Sequence, residues 1–146
     1  MRIYLEPSVL VKLFKREEQE SERMMGIVSR VDEGHAQWGA YTSDWSLLEV
    51  ARALRKQGKP KELIDLDLKA LRGHKISFQA ISSEILYEAE KIIVRNNVYA
   101  SDSIHAATFL HLKRGSKIDA FVTDDRHFFR LKDLVNPLRV RDVTLQ

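Results

Sequence analysis

The chain contains no cysteine. That absence removes disulfides, thiolate catalysis and thiolate zinc sites together, so any metal must be held by oxygen or imidazole. No apolar run approaches the roughly 20 residues of a membrane span, and the amino terminus lacks the basic, apolar and small-residue order of a signal peptide. A cytoplasmic protein without membrane segments is expected. Internal repeats, low-complexity tracts and long linkers are missing as well. What is present, 146 residues of which 44% are hydrophobic and 31% charged, fits one domain over residues 1–146 around one core.

The formal charge of +3 and the pI of 9.2 permit a nucleic-acid partner without demanding one. Glu17, Glu18, Glu20 and Glu22 form an acidic run, whereas Arg52 to Lys75 holds eight basic residues against Glu62, Asp65 and Asp67. Solvated helix faces are the ordinary reading of both runs, and the preferred one for the acidic run.

Residues 2–5 read as a short buried strand, and Pro7 suits the first turn of a helix carrying Val9, Leu10, Leu13 and Phe14. A helix from about Glu20 to Asp32 ends at Gly34, and Gln37 to Thr42 reads as a second strand. Ser43 or Asp44 can cap a helix running to about Gln57. Gly58 and Pro60 separate it from another ending near Gly73. Ile76 and Phe78 mark a strand, Ser82 or Ser83 caps a helix ended by Asn96 and Asn97, and Ser101 caps one that stops near Gly115. Ala120 to Thr123 is an apolar strand, a short helical segment with Phe128 and Leu131 follows, and Leu138 to Val143 suits a last edge strand. This alternation predicts an α/β three-layer sandwich, with a mostly parallel central sheet flanked by helices.

Carboxylates recur where predicted strands end and helices begin: Glu6, Glu49, Asp102 and the pair Asp124–Asp125. Open α/β folds place ligands at that edge. Each acid also has an ordinary structural explanation. Glu49 can close a capping box with Ser46, Asp102 can complement a helix dipole, and Asp124 or Asp125 can serve a turn or cap.

The contexts are more specific than the acids. Tyr-Leu-Glu6-Pro-Ser-Val-Leu-Val, Ser-Leu-Leu-Glu49-Val-Ala-Arg-Ala-Leu, Ala-Ser-Asp102-Ser-Ile-His-Ala-Ala-Thr and Phe-Val-Thr123-Asp-Asp125-Arg-His-Phe occur in this order across nearly the whole chain. With these four segments the sequence resembles the PIN-domain ribonucleases, and most closely the small VapC-type toxins of prokaryotic toxin–antitoxin pairs. The resemblance implies a PIN-like fold, an acidic cluster of Glu6, Glu49, Asp102 and Asp125, and supporting hydroxyls at Ser8 and Thr123. Asp124 falls on a variable position. It also implies dimers, an RNA substrate, and inhibition by an antitoxin whose arginine enters the acidic site.

Carboxylates packed closely in a low dielectric repel one another unless protons or a cation neutralise them. Oxygen ligands favour Mg²⁺ or Mn²⁺, which can activate water and stabilise charge on a phosphate. On this expectation Asp102 and Glu6 are direct ligands, and Glu49 and Asp125 complete the cluster directly or through water. Arg52 and Lys56, four apart on one helix, and Arg126 beside Asp125 are candidate RNA contacts, with surface solubility as the alternative for the helix pair. His105 and His111 are expected to be packed or hydrogen-bonded. Leu63, Ile64, Leu66, Leu68 and Leu71 exceed what one helix face buries, which suits a dimer or antitoxin groove as well as core packing.

Glu6-Pro7 departs from the family's pattern, in which an aspartate precedes a small residue such as threonine. A glutamate must fold back to reach the same ligand position, and Pro7 removes a backbone N–H. The alternative is thus an impaired PIN domain that binds RNA or an antitoxin without cutting. A receiver domain would need paired acids near the first strand and a lysine after a late strand, and neither is present. A phosphatase lacks a nucleophile placed by any motif.

Overall fold

A computed structural model describes residues 1–15, 19–115 and 118–146. Glu17 and Glu18 of the acidic run lie outside the described residues. Strand β1 (Arg2–Leu5) leads into helix α1 (Pro7–Leu10), which continues as a 3-10 turn over Val11–Phe14. Then come α2 (Ser21–Asp32), β2 (Gly39–Ser43), α3 (Trp45–Lys56), α4 (Lys61–Gly73), β3 (Ile76–Gln79), α5 (Ser83–Asn96) and α6 (Ala100–Gly115). The chain closes with β4 (Ala120–Val122), a 3-10 turn over Arg126–Leu131, α7 (Lys132–Val135), β5 (Pro137–Leu138) and a last 3-10 turn at Val140–Asp142.

The five strands form one sheet in the order β3-β2-β1-β4-β5, and every pairing is parallel. Parallel neighbours need crossovers, and helices supply them on both faces. The period of two in β1 divides the core: Ile3 and Leu5 pack with Val9, Leu10, Ile27, Val50, Leu54 and Leu71 of α1 to α4. Tyr4 turns the other way onto Ile85, Ala89 and Ile92 of α5 and Ala106 and Phe109 of α6. The result is the expected three-layer α/β sandwich, with β1 at its centre. No helix among the described residues is long and apolar enough to cross a membrane.

Most element boundaries follow from local chemistry. Gly34 and Gly58 take left-handed φ of 73° and 83° beyond α2 and α3, where a Cβ would be strained. The Ser82 hydroxyl accepts the Ile85 N–H at 3.2 Å and caps α5.

Two expectations are corrected. Ser101 does not cap α6: the helix already begins at Ala100, and the Ser103 N–H reaches the Tyr99 carbonyl at 3.0 Å, leaving Ser101 inside the first turn. The last strand is confined to Pro137–Leu138, not Leu138 to Val143. Val140 and Val143, three apart, both turn inward to full burial, and Arg23 of α2 donates to their carbonyls. That spacing is one turn of 3-10 helix rather than an alternating strand.

Candidate metal and active site

The carboxyl ends of β1 and β4 lie side by side because Leu5 pairs with Val122. Glu6 and Thr123, one residue beyond each, therefore meet although 117 positions separate them. Glu6 is only 4% exposed. Its Oε2 accepts the Ser8 N–H at 3.0 Å, the Ser8 hydroxyl in a short contact, and the Thr123 hydroxyl at 2.8 Å. The longer side chain does fold back, as expected of a glutamate here, and it caps α1 in doing so. Oε1 is left without a hydrogen bond from any described residue.

Ser8 and Thr123 act beyond Glu6. The Ser8 hydroxyl accepts the Asp124 N–H at 3.1 Å, and Thr123 Oγ1 accepts the Asp125 N–H at 3.0 Å. These two hydroxyls tie the β1 turn to the β4 turn. Asp125 caps the following 3-10 turn through the His127 N–H at 2.9 Å, and its Oδ1 lies 3.1 Å from His127 Nδ1. Asp124 points elsewhere, pairing with Lys12 at 3.0 Å and accepting the Val140 N–H. Its structural role as a turn residue is thereby met.

Glu49 lies one turn into α3 and forms no capping box. Ser46 instead shares a 2.6 Å hydrogen bond with Thr42, and Ser43 accepts the Trp45 N–H. The Glu49 carboxylate meets His105 Nε2 at 2.7 Å, and His105 Nδ1 meets the Tyr4 hydroxyl at 2.7 Å. His105 is fully buried, as its apolar helix implied. Asp102, one turn earlier on α6, is 9% exposed.

Electrostatics couples Asp102 to Asp125 and Glu49, and the Tyr4 hydroxyl to Glu6 and Glu49. Burial pushes Glu6 up to about 7, against the opposing pull of His105 and the hydrogen bonds from Ser8 and Thr123. Asp102 rises to about 6, first through burial and then through the Asp125 charge, with Glu49 adding to it and His127 and His105 opposing. The Tyr4 hydroxyl is held protonated by burial and by the nearby Glu6 charge. Of the four sequence-predicted acids, Glu6 and Asp125 follow the adjoining ends of β1 and β4, while Glu49 stands one turn into α3 and Asp102 in the first turn of α6. Among the described residues, however, no three His, Asp or Glu side chains converge closely enough to hold an ion as they stand. Glu49 and Asp125 each lean on a histidine.

A PIN domain family model matches residues 3–134. The chain belongs to the PIN domain family. Solved structures of similar fold include VapBC2 from Rickettsia felis bound to a promoter DNA fragment, with a TM-score of 0.69 at 13% identity, covering 95% of this chain and 98% of that one. Mycobacterium tuberculosis VapC20, a sarcin-ricin-loop-cleaving toxin, gives 0.66 at 16% identity over 88% and 94%. VapBC-1 from nontypeable Haemophilus influenzae gives 0.66 at 15% identity over 97% and 99%. At such identities the likeness is one of fold. No curated protein matches the chain in sequence.

Arg52 and Lys56 are exposed on α3, and Arg126 is exposed beside Asp125. None of the three has an ion-pair partner among the described residues. The Tyr4 hydroxyl and its link through His105 to Glu49 were not foreseen from sequence. A tyrosine inside an otherwise aliphatic buried strand was the available signal, since a buried hydroxyl requires a partner.

Proposed function

We propose that this PIN domain is a divalent-metal-dependent ribonuclease that hydrolyses RNA phosphodiester bonds, and that it is the toxin of a toxin–antitoxin pair. The observation that supports this reading is the burial of two acids from distant segments, Glu6 and Asp102, both pushed toward proton uptake, with the charges of Asp125 and Glu49 acting on Asp102. A hard divalent cation relieves such a cluster, and the all-oxygen donor set fits Mg²⁺ or Mn²⁺.

Glu6 would hold the ion through the free Oε1, together with Asp102, while Glu49 and Asp125 would complete the set directly or through water. A cation would compete with His105 and His127 for those last two. When bound, it supplies an activated water and stabilises charge on the phosphate. Ser8 and Thr123 fix the Glu6 carboxylate through its other oxygen. Arg52 and Lys56 follow Glu49 along α3 and, with Arg126, would contact RNA phosphates.

An antitoxin partner is supported by the fold-related complexes from R. felis and H. influenzae and by a toxin–antitoxin complex from Klebsiella pneumoniae. The acidic pocket suits an inhibitory arginine. On α3 and α4, Leu48, Leu63 and Leu66 are exposed while Ile64 and Leu71 are buried. That outward apolar surplus suits an antitoxin helix or a second copy in a homodimer. Such a pair would work in the cytoplasm.

Labelled RNA and a small phosphate ester, each incubated with Mn²⁺ or EDTA, test the reading. RNA is expected to be cut only with Mn²⁺, and Asp102→Asn is expected to lower the rate by at least about 100-fold. RNA that is bound but never cut would reduce the protein to a binding module. Preferential hydrolysis of the small ester would place it in another enzyme class.

A further inference from the structure

Beside Asp102 a pocket of about 300 Å³ is lined by Asn97, Val98, Tyr99, Asp102, His127 and Arg130. It lies between the α5–α6 connection and the 3-10 turn after β4. Tyr99 is 70% exposed. The His127 ring packs T-shaped against it with centroids 5.8 Å apart, and most of the phenol surface stays open to solvent. His127 is itself held by Asp125, so a chain of contacts runs from Asp125 through His127 to the Tyr99 ring.

Asn97 ends α5 in a left-handed conformation with φ of 50°. Its backbone N–H is used by the Ile93 carbonyl, but its side-chain amide has no partner among the described residues. Arg130 is exposed and likewise has no partner among them. The pocket therefore offers a largely exposed aromatic ring, an amide that can both donate and accept, and a guanidinium without a partner among the described residues, all beside the Asp102 carboxylate.

Each part matches a part of a nucleotide. An aromatic face stacks a base, an amide reads a base edge, and a guanidinium takes a phosphate. A base inside a duplex is already stacked on its neighbours and cannot lie on Tyr99, so the nucleotide must be unpaired. Because Asp102 forms one wall, the nucleotide would sit next to the phosphate held at the acids. We infer that the Tyr99 pocket is a subsite for one unpaired RNA nucleotide flanking the bond to be cut, its base on Tyr99 and its phosphate against Arg130. This rests on the ribonuclease reading above.

The test uses the full chain in EDTA with single-stranded RNA carrying a fluorescent base analogue, reading both affinity and the quenching that stacking causes. Tyr99→Ala is expected to weaken binding about tenfold and abolish quenching, while Tyr99→Phe keeps both. Arg130→Ala should weaken binding, lower the salt slope by about 1 and leave quenching at saturation intact. Duplex RNA should show no quenching. Thermal melts confirm that substitutions at these exposed positions leave the fold unchanged. If wild-type protein cuts and binds RNA but Tyr99→Ala matches it in affinity and quenching, the subsite is wrong and the nuclease reading stands. If wild-type protein neither binds nor cuts RNA, both fall.

Discussion

His105 Nε2 lies 2.7 Å from Glu49 Oε1, joining the core of α6 to an acid on α3. The other ring nitrogen is committed to the Tyr4 hydroxyl, so a buried imidazole holds Glu49, an acid of the proposed site, from inside the protein. Replacing the ring should act on fold and site together. His105→Ala leaves a void and an unsatisfied Tyr4 hydroxyl, for a loss of about 3 kcal/mol in urea unfolding. Tyr4→Phe deletes the hydroxyl alone and should cost about 1 kcal/mol. Equal losses for the two variants would mean that the imidazole is not the organising group.

The raised Glu6 fixes the sign of a pH effect. Its carboxyl is pushed up from 4.5 to about 7, so the native state holds a proton that the unfolded chain releases. Without metal, stability from this group is present below about 4.5 and is lost as pH rises through 7, by on the order of 3 kcal/mol. Asp102, raised from 3.8 to about 6, acts in the same direction. Glu6→Gln should therefore be more stable than the parent at pH 8 in EDTA, and by a smaller margin at pH 5.5. A margin that does not change with pH would contradict the buried, proton-holding glutamate.

A divalent ion should oppose that loss. Mn²⁺ is expected to raise the melting temperature of the parent protein at pH 7.5 and to do so weakly, if at all, for Asp102→Asn. Affinity should increase from pH 5.5 to 7.5, with protons released on binding, as calorimetry in two buffers of different ionisation heat would show. A pH-independent affinity would place the ion away from Glu6 and Asp102.

The glutamate at position 6 is already accommodated. It reaches Thr123 and Ser8 with one oxygen and keeps the other free. Glu6→Asp shortens the side chain and draws it from Thr123, so Mn²⁺-dependent cleavage should stay level or drop. A tenfold gain in rate would show instead that the glutamate is a handicap.

The sequence was most informative where local chemistry decides the outcome. Pro7 at the first turn of α1, Gly34 and Gly58 beyond helix ends, Ser82 as a cap, and alternating faces in β1 all act within a few residues. The four acid contexts were also legible, since each is a strand end or helix start with its own signature. Ser101 misled because its neighbours were already helical, and Val140 with Val143 because inward packing overrode a strand-like composition. The links from Glu49 to His105 and from Tyr99 to His127 span 56 and 28 positions. Only packing brings such residues together, and no local pattern announces them.

The central strand has consequences for timing. β1 is made first but takes its second partner, β4, only after nearly 120 further residues, and Thr123 cannot support Glu6 until that pairing exists. Contacts of such long sequence separation form late and slowly. A ribosome-bound chain that stops short of β4 lacks Thr123 and Asp125 alike. It carries Glu6, Glu49 and Asp102 without their partners from β4, so the proposed site is incomplete until the last fifth of the chain is made.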